Sequence, residues 1–221
     1  MSEDTLVKQA SYQVNPEGTS GKVRLNIKGE TVIADPIQQM IVDGRVFMIS
    51  NQAMETARDI GNAAYTETEP AIAIDVPLGT TFIPLEIMLY QGGAVATADV
   101  TALFTVDTVA RITSGNALTP RNFLINSAQP NTSLVTAKCH DEGTTALITA
   151  APTNDITFLA KLQAEALVGG DDQDIHWSAR EFIPPIIKGP GSLVIYWYGT
   201  GNPEGFYHIV WAEIPTVNAV P

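Results

Sequence analysis

The chain has 221 residues, of which 45% are hydrophobic and 16% are charged, a charged share below the usual quarter. Its 24 acidic and 12 basic side chains give a formal net charge of −12, which argues against nucleic acid or anionic lipid as partners, because both attract clustered Lys and Arg. A single cysteine, Cys139, excludes an internal disulfide framework, and the absence of a signal-peptide core and of an apolar run of roughly 18 residues predicts a protein made in a cytoplasm, with no membrane partner.

Residues 1–65 are predicted to form an N-terminal arm with a small subdomain. A polar stretch at the start is followed by an apolar–polar alternation at 23–27, typical of a half-buried strand. The dipeptide Asp43–Gly44 lies between two apolar runs, and this pattern favours a β-hairpin because both turn residues must accept positive φ. Apolar residues at helical spacing over 53–60, with Gly61 as a stop, predict one short helix.

Beyond Pro70 the pattern changes to strands separated by Gly, Pro and Asn turns. Runs at 71–76 and 81–90 predict two strands. The second strand is expected to begin at Pro84, to bulge there or to lie at the edge of a sheet, since proline donates no ladder hydrogen bond. The segment 155–169 fits either a helix or a strand, and the strand is preferred because both neighbours are strands. About eight or nine strands at this rhythm predict an all-β fold, either a sandwich or a barrel.

The last two predicted strands, 192–198 and 206–213, flank a Gly/Asn/Pro turn and are predicted to pair as a C-terminal hairpin. Alternation puts one set of side chains on each face of the first strand: Leu193, Ile195 and Trp197 against Val194, Tyr196 and Tyr198. Because both sets are apolar or aromatic, the strand is expected to be covered on both sides. The second apolar face of the whole C-terminal hairpin is predicted to be covered by either the N-terminal segment or another subunit.

Three motifs carry a resemblance to a known family. They are the turn Pro77–Thr80 before an early strand, the segment Gly189–Leu193 before the last pair of strands, and the closing segment Trp211–Glu213. Over roughly residues 66–216 the chain resembles virion proteins of tailed bacteriophages that carry a jelly roll of the tumour-necrosis-factor type. The resemblance implies a jelly-roll β-sandwich domain over 66–221 and a homotrimer on the outer surface of a phage capsid, with the major capsid protein as partner.

The same resemblance, together with the scarcity of charge, predicts a trimer interface on the aromatic strands. Its expected contacts are Tyr196, Tyr198, Phe206 and His208, because aromatic enrichment with few charges marks the core of protein interfaces. The alternative is that these rings fill the protomer's own sandwich.

Catalytic chemistry finds little support in the sequence. There is no nucleophile elbow, P-loop or Gly-x-Gly-x-x-Gly segment, and the three histidines, His140, His176 and His208, fall at unrelated positions. Adjacent strand residues point to opposite faces, so Cys139 and His140 are not expected to chelate one ion. The sequence therefore predicts a protein that is not an enzyme and has no cofactor or resident metal.

One acidic loop near Trp177 is a candidate ligand site. Asp171, Asp172 and Asp174 lie close together in the sequence and carry the oxygen ligands that Ca²⁺ prefers. The neighbouring indole would offer a face on which a sugar ring stacks. A solvated acidic loop is the simpler interpretation.

These observations favour a structural function: a capsid decoration (cement) protein that binds the outer shell as a trimer and stabilises it by mass action. A receptor- or glycan-binding module of a head spike or fibre is the alternative. A jelly-roll enzyme of the cupin type is disfavoured, because it needs several histidines and a carboxylate that converge on a metal.

Overall fold

A computed structural model gives the fold of most of the chain. The residues that it describes are 35–51, 56–92, 100–125, 131–140, 146–152, 156–163, 174–199 and 203–216. The polar start of the chain and the strand predicted at 23–27 lie outside this set.

The described residues form one short helix and thirteen strands. In chain order these are α1 Pro36–Val42, β1 Val46–Ser50, β2 Arg58–Asp59, β3 Ile72–Val76, β4 Thr80–Gln91, β5 Val100–Asp107, β6 Asn116–Leu118, β7 Arg121–Asn122, β8 Thr136–Cys139, β9 Ile156–Gln163, β10 Asp174–Ser178, β11 Ile187–Lys188, β12 Gly191–Gly199 and β13 Glu204–Pro215.

Two antiparallel sheets pack face to face, which confirms the predicted all-β sandwich. The seven-stranded sheet has the order β10-β4-β13-β1-β7, with β11 beside β4 and β2 beside β13. The six-stranded sheet has the order β6-β8-β3-β12-β5-β9. The longer strands pair in a nested way, β1 with β13, β3 with β12, β4 with β10 and β5 with β9, so the chain resembles one long hairpin rolled into two layers.

Alternating side chains from both sheets form one core between them, and it contains all three tryptophans of the chain. Trp177, Trp197 and Trp211 come from β10, β12 and β13, and each is at most 1% exposed. Since burial stabilises by about 25 cal/mol per Å² of apolar surface, these large rings are major contributors to the stability of the sandwich.

The predicted division of β12 into two apolar faces is confirmed. Leu193, Ile195 and Trp197 belong to the core between the sheets, whereas Val194 and Tyr196 belong to a second cluster on the outer side of the six-stranded sheet. Eight of the nine residues of β12 are buried, so the strand is covered on both sides within its own chain.

The predicted C-terminal hairpin is wrong. β12 pairs with β3 and β5 in the six-stranded sheet, whereas β13 pairs with β4 and β1 in the seven-stranded sheet. The chain therefore crosses from one sheet to the other between these two strands. A Gly/Asn/Pro segment indicates a change of direction, but it does not specify which sheet the next strand joins.

The hairpin predicted at Asp43–Gly44 is also wrong, because these residues end helix α1. Gly44 has the positive φ that the prediction required, 66°. Its N–H donates to the Ile41 carbonyl at 2.9 Å, and the Arg45 N–H donates to the Met40 carbonyl at 2.9 Å. These two bonds satisfy the last carbonyls of a helix in the Schellman arrangement, which needs the same left-handed residue as a tight hairpin does.

The segment 1–65, predicted as an arm and small subdomain, contains β1 and β2, and both pair with β13 in the seven-stranded sheet. The helix predicted over 53–60 is wrong at its C-terminal part, because Arg58–Asp59 form β2; residues 52–55 lie outside the described set. Pairing with a long neighbouring strand outweighs the helical spacing of so short a segment, since short helices are marginal without packing.

Two predictions within strands are confirmed. The ambiguous segment 155–169 contains strand β9, Ile156–Gln163, rather than a helix. Pro84 lies at a bulge in β4, because Trp211 is opposite Pro84 while Val210 is opposite Glu86, which leaves one extra residue in β4. The missing proline N–H is accommodated at this irregular point of the ladder.

Candidate interaction surfaces

The four residues predicted for a trimer interface lie on opposite sides of the sandwich. Tyr196 and Tyr198 belong to the cluster outside the six-stranded sheet. Phe206 and His208 alternate with the core residue Tyr207, so they lie on the outer face of the seven-stranded sheet. They therefore form two separate surfaces rather than one aromatic patch.

Loops of the same chain cover the outer face of the six-stranded sheet. Leu147 and Ile148 are fully buried and pack with Tyr196 in one apolar cluster. The ring of Tyr65 lies over this cluster, with its centroid 5.0 Å from that of Tyr196. The Tyr196 hydroxyl donates to the main-chain oxygen of Glu67 at 2.8 Å, so both the ring and the polar tip of this residue have partners within the protomer.

A half-buried carboxylate fixes the loop after β5 to this face. Asp75 on β3 accepts the main-chain N–H groups of Arg111 and Ile112, both at 2.9 Å. The Arg111 guanidinium donates to the fully buried Asp107 carboxylate through two nitrogens, at 2.7 and 2.6 Å. Burial raises the pKa of Asp75, and the two N–H groups and the Arg111 charge oppose that shift. The network holds the cover in place.

Helix α1 covers one half of the outer face of the seven-stranded sheet. Asp35 caps the helix, since its Oδ1 accepts the Ile37 N–H at 2.8 Å, and Pro36 occupies the first turn. Met40 and Ile41 pack on apolar side chains of β1, β4 and β13. The N-terminal segment, one of the two covers that the sequence predicted, therefore supplies the cover of β13 here.

The other half of that face is half-exposed and mixes aromatic with titratable groups. Phe206, His208 and Tyr90 are each partly buried there. His176 Nε2 lies 3.1 Å from Glu86 Oε1. Burial lowers the pKa of His208, and the charge of Glu86 opposes this shift.

The predicted ligand loop lacks a surface tryptophan. Trp177 is 1% exposed and packs between the sheets, so the prediction that its indole stacks on a sugar ring is wrong. Asp174 is exposed at the start of β10. Asp171 and Asp172 lie outside the described residues.

The cysteine–histidine pair of the sequence is buried. Cys139 belongs to the core, with its Sγ 3.7 Å from Nη1 of Arg58, and His140 is 8% exposed. Nowhere in the described part of the chain do three or more His, Cys, Asp or Glu side chains come together as a metal site would require. Among the helices of the described residues, none has the length and apolarity needed to cross a membrane.

Sequence reasoning missed a surface at one end of the sandwich, which we name the apolar end. It lies on the loops after β3, β5, β7 and β10, and its members are large aliphatic side chains that are 45% to 96% exposed: Leu78, Val109, Ile125, Leu134, Ile183 and Ile186. The apolar run 182–187, in which two prolines preclude a central strand, was a signal for it in the sequence.

Close contacts hold these loops side by side. A Cβ on Gly189 would lie 2.0 Å from the main-chain oxygen of Pro77, and one on Gly191 would lie 2.8 Å from that of Asp107. The Leu134 N–H donates to Oε2 of Glu213 at 2.9 Å. These contacts bring the loops that carry the exposed aliphatic side chains to one end of the sandwich.

The opposite end of the sandwich, which we name the acidic end, carries Asp59, Glu69, Asp174 and Glu204 near the termini of β2, β3, β10 and β13. Asp59 and Glu204 are paired in register. Arg58, next to Asp59, directs its guanidinium inward to Cys139. Asp174 is exposed, and the other three acidic residues are half-buried.

No protein family model, no curated protein and no solved structure matches the chain. Its function is therefore inferred from its own residues.

Proposed function

We propose that the chain is a structural protein of a tailed-phage virion, a capsid decoration (cement) protein that binds the outer shell as a homotrimer and stabilises it. The observation that carries the proposal is the apolar end, where large aliphatic side chains are exposed on neighbouring loops. A large exposed apolar patch marks a site of association with other proteins, and we infer that these side chains form such a patch together. The proposed partner is the major capsid protein, and the proposed location is the outer surface of the virion.

The strand order supports the jelly-roll part of the proposal. A jelly roll consists of antiparallel strands wrapped into two sheets, so that the first principal strand pairs with the last and the others pair inward from there. The nested pairs β1–β13, β3–β12, β4–β10 and β5–β9 have this form.

The three sequence motifs on which the resemblance rests have identifiable structural roles, which supports the proposal further. Gly79 in the early turn has a φ of 86°, a conformation that favours glycine. Gly189 and Gly191 approach neighbouring main-chain atoms so closely that a side chain would not fit. The buried carboxylate of Glu213 accepts the indole N–H of Trp211 at 2.8 Å and also a main-chain N–H of the loop before β8. This last contact links the two sheets.

A decoration protein of this kind acts by linkage rather than by chemistry. A ligand that binds the assembled shell but not its separated subunits stabilises the shell by mass action. Three copies joined in one trimer engage three sites together, so contacts that are individually modest become strong in combination.

The shell experiment tests the stabilising role. Shells of the phage that encodes the chain, stripped of decoration, are heated with and without the purified full-length chain. We expect the melting temperature of the shell to rise with the concentration of the chain until the sites are saturated, because only the assembled shell offers these sites. An unchanged shell transition, equal to that with serum albumin, contradicts the proposal.

Light scattering tests the trimer. The chain has a mass of 23.7 kDa, and we expect the full-length protein in solution to have three times this mass. A mass of 23.7 kDa across the accessible concentration range would contradict the trimer while leaving shell binding to the experiment above.

The alternative function, a receptor- or glycan-binding spike module, depended on a surface tryptophan beside the acidic loop. The burial of Trp177 removes that stacking surface, so we do not propose it.

A further inference from the structure

Three of the acidic groups at the apolar end, Asp107, Asp75 and Asp43, are used within the chain. The Asp107 carboxylate bonds to Arg111, and that of Asp75 accepts two main-chain N–H groups. The Asp43 carboxylate accepts from the side chain of Gln39 at 2.9 Å. These negative charges are already neutralised or hydrogen-bonded in the free chain.

Two basic groups of the same end are exposed to solvent. Arg180 and Lys188 are exposed beside the aliphatic side chains, and Arg45 is half-exposed at the start of β1. Arg180 makes a loose contact of 3.9 Å with Asp35, and the exposed acid nearby is Glu181. A chain of net charge −12 therefore presents an apolar surface with a basic border at one end and acidic side chains at the other.

The basic border argues against a second copy of the chain as the occupant. Two copies that met through this same end would bring Arg180 and Lys188 of one copy toward the same cations of the other, and like charges across an interface are costly. The shape of this end leads to the same conclusion, because the side chains of Ile125 and Ile183 are 96% and 94% exposed and therefore project from the surface. Projecting side chains need matching depressions on the partner surface. The same end of a second copy offers projecting side chains instead.

We propose that the apolar end is the docking surface for a different protein, one whose contact surface has apolar depressions bordered by acidic groups. The proposal rests on the proposed function, in which that protein is the subunit of the shell. Ile183 and Ile125 act as the anchors that fill the depressions, and Lys188 and Arg180 select the acidic border.

The orientation of the bound protein follows from this assignment. With the apolar end on the shell, the acidic end points away from it, because the two ends lie at opposite termini of the same strands. The outward layer of carboxylates would then make decorated particles repel one another at low ionic strength.

The test measures binding of full-length variants to stripped shells by co-sedimentation. Ile183→Asp and Ile125→Asp change side chains that are almost wholly exposed, so the melting temperature of the free protein should remain that of the wild type. Since burial of an isoleucine is worth roughly one to two factors of ten in affinity, we expect each variant to bind about tenfold to a hundredfold more weakly. The matched control is Ala64→Asp, which adds the same charge at an exposed position near Asn62, far from the apolar end.

The outcomes separate this inference from the function on which it rests. If the wild-type chain does not bind shells at all, the proposed function is wrong. If the wild type binds and Ile183→Asp and Ile125→Asp bind equally well, or if Ala64→Asp is weakened as much as they are, the docking surface is wrong. If the two variants instead convert a multimer in solution into monomers, the occupant is a second copy and the proposal is overturned.

The basic border has a test of its own. Lys188→Glu reverses an exposed charge on β11, and we expect weaker shell binding than in the wild type at low salt, with the difference shrinking as salt is raised. Equal or tighter binding by Lys188→Glu would contradict an acidic border on the partner.

Discussion

The outer face of the six-stranded sheet is closed by loops of the same chain, whereas α1 covers one half of the outer face of the seven-stranded sheet and the half around Phe206 and His208 is partly exposed. The closed face uses fully buried aliphatic side chains and a hydrogen-bonded carboxylate. The half-open face has histidines, a glutamate and aromatic rings at intermediate burial. Both faces are rich in large side chains, so composition alone does not distinguish them.

This difference shows why an aromatic strand is a poor guide to an interface. Tyr196 and Phe206 are both aromatic residues on neighbouring predicted strands. Tyr196, however, is only 3% exposed, and its hydroxyl donates to a main-chain oxygen of the same protomer. The outer face of a sheet is open to a partner protein only where no other segment of the same chain covers it. The three predictions that follow measure how firmly each face is closed.

The largest effect is expected from matched truncations on the two faces. Leu147→Ala removes a fully buried side chain from the closed face and should lower the free energy of unfolding by about 3 kcal/mol through lost burial and a residual cavity. Met88→Ala on the half-open face removes a half-buried side chain and should cost less than about 1.5 kcal/mol. Chemical denaturation of the purified full-length proteins gives both values. Equal losses would mean that the two faces are equally covered.

The next effect comes from the carboxylate under the loop of the closed face. Asp75→Ala leaves the main-chain N–H groups of Arg111 and Ile112 without their acceptors, and we expect a loss of about 2 kcal/mol. Asp75→Asn keeps one oxygen acceptor, so its loss should fall between those of the wild type and Asp75→Ala. Hydrogen exchange should show faster exchange at Arg111 and Ile112 in both variants. Unchanged exchange would mean that these bonds do not hold the loop.

Much of the fold could be predicted from the sequence where a strand carries its own pattern. The alternation in β12 predicted two apolar faces, and the rhythm of turns predicted an all-β fold, a sandwich or a barrel, of which the structure has the sandwich. Pro84 predicted a strand start, a bulge or an edge, because proline cannot complete a ladder, and the structure has the bulge. Each of these inferences depends on neighbours a few residues away, which a single sequence displays.

The predictions that were wrong concern places where a segment far away in the sequence determines the local structure. The turn after β12 has hairpin chemistry, but the partners of β12 and β13 are strands far away in the sequence. Asp43–Gly44 fits a hairpin and a helix C-terminus equally, because both require positive φ. Trp177 looks exposed beside an acidic loop until its strand is placed in the sheet. The apolar end was missed because its members are spread over loops that only the fold brings together.

The smallest effect is expected from pH on the half-open face. Burial lowers the pKa of His208 below its ordinary value of 6.5, so the folded state binds this proton less tightly than the unfolded chain does. As pH falls below 6.5 the unfolded state takes up the proton first, and stability declines until the pH reaches the lowered folded value. Replacing the imidazole by an amide, in His208→Gln, should remove this part of the acid-side decline, which thermal melts between neutral and mildly acidic pH will measure.

A second variant tests the cause of that shift. Glu86 opposes the effect of burial on His208 because its negative charge favours the imidazolium. Glu86→Gln removes that charge, so the pKa of His208 should fall further and the acid-side loss of stability should be larger than in the wild type. The combined variant, Glu86→Gln with His208→Gln, should lose the extra acid sensitivity again. If Glu86→Gln instead leaves the acid-side loss of stability unchanged or makes it smaller, the charge of Glu86 does not set the pH response of His208.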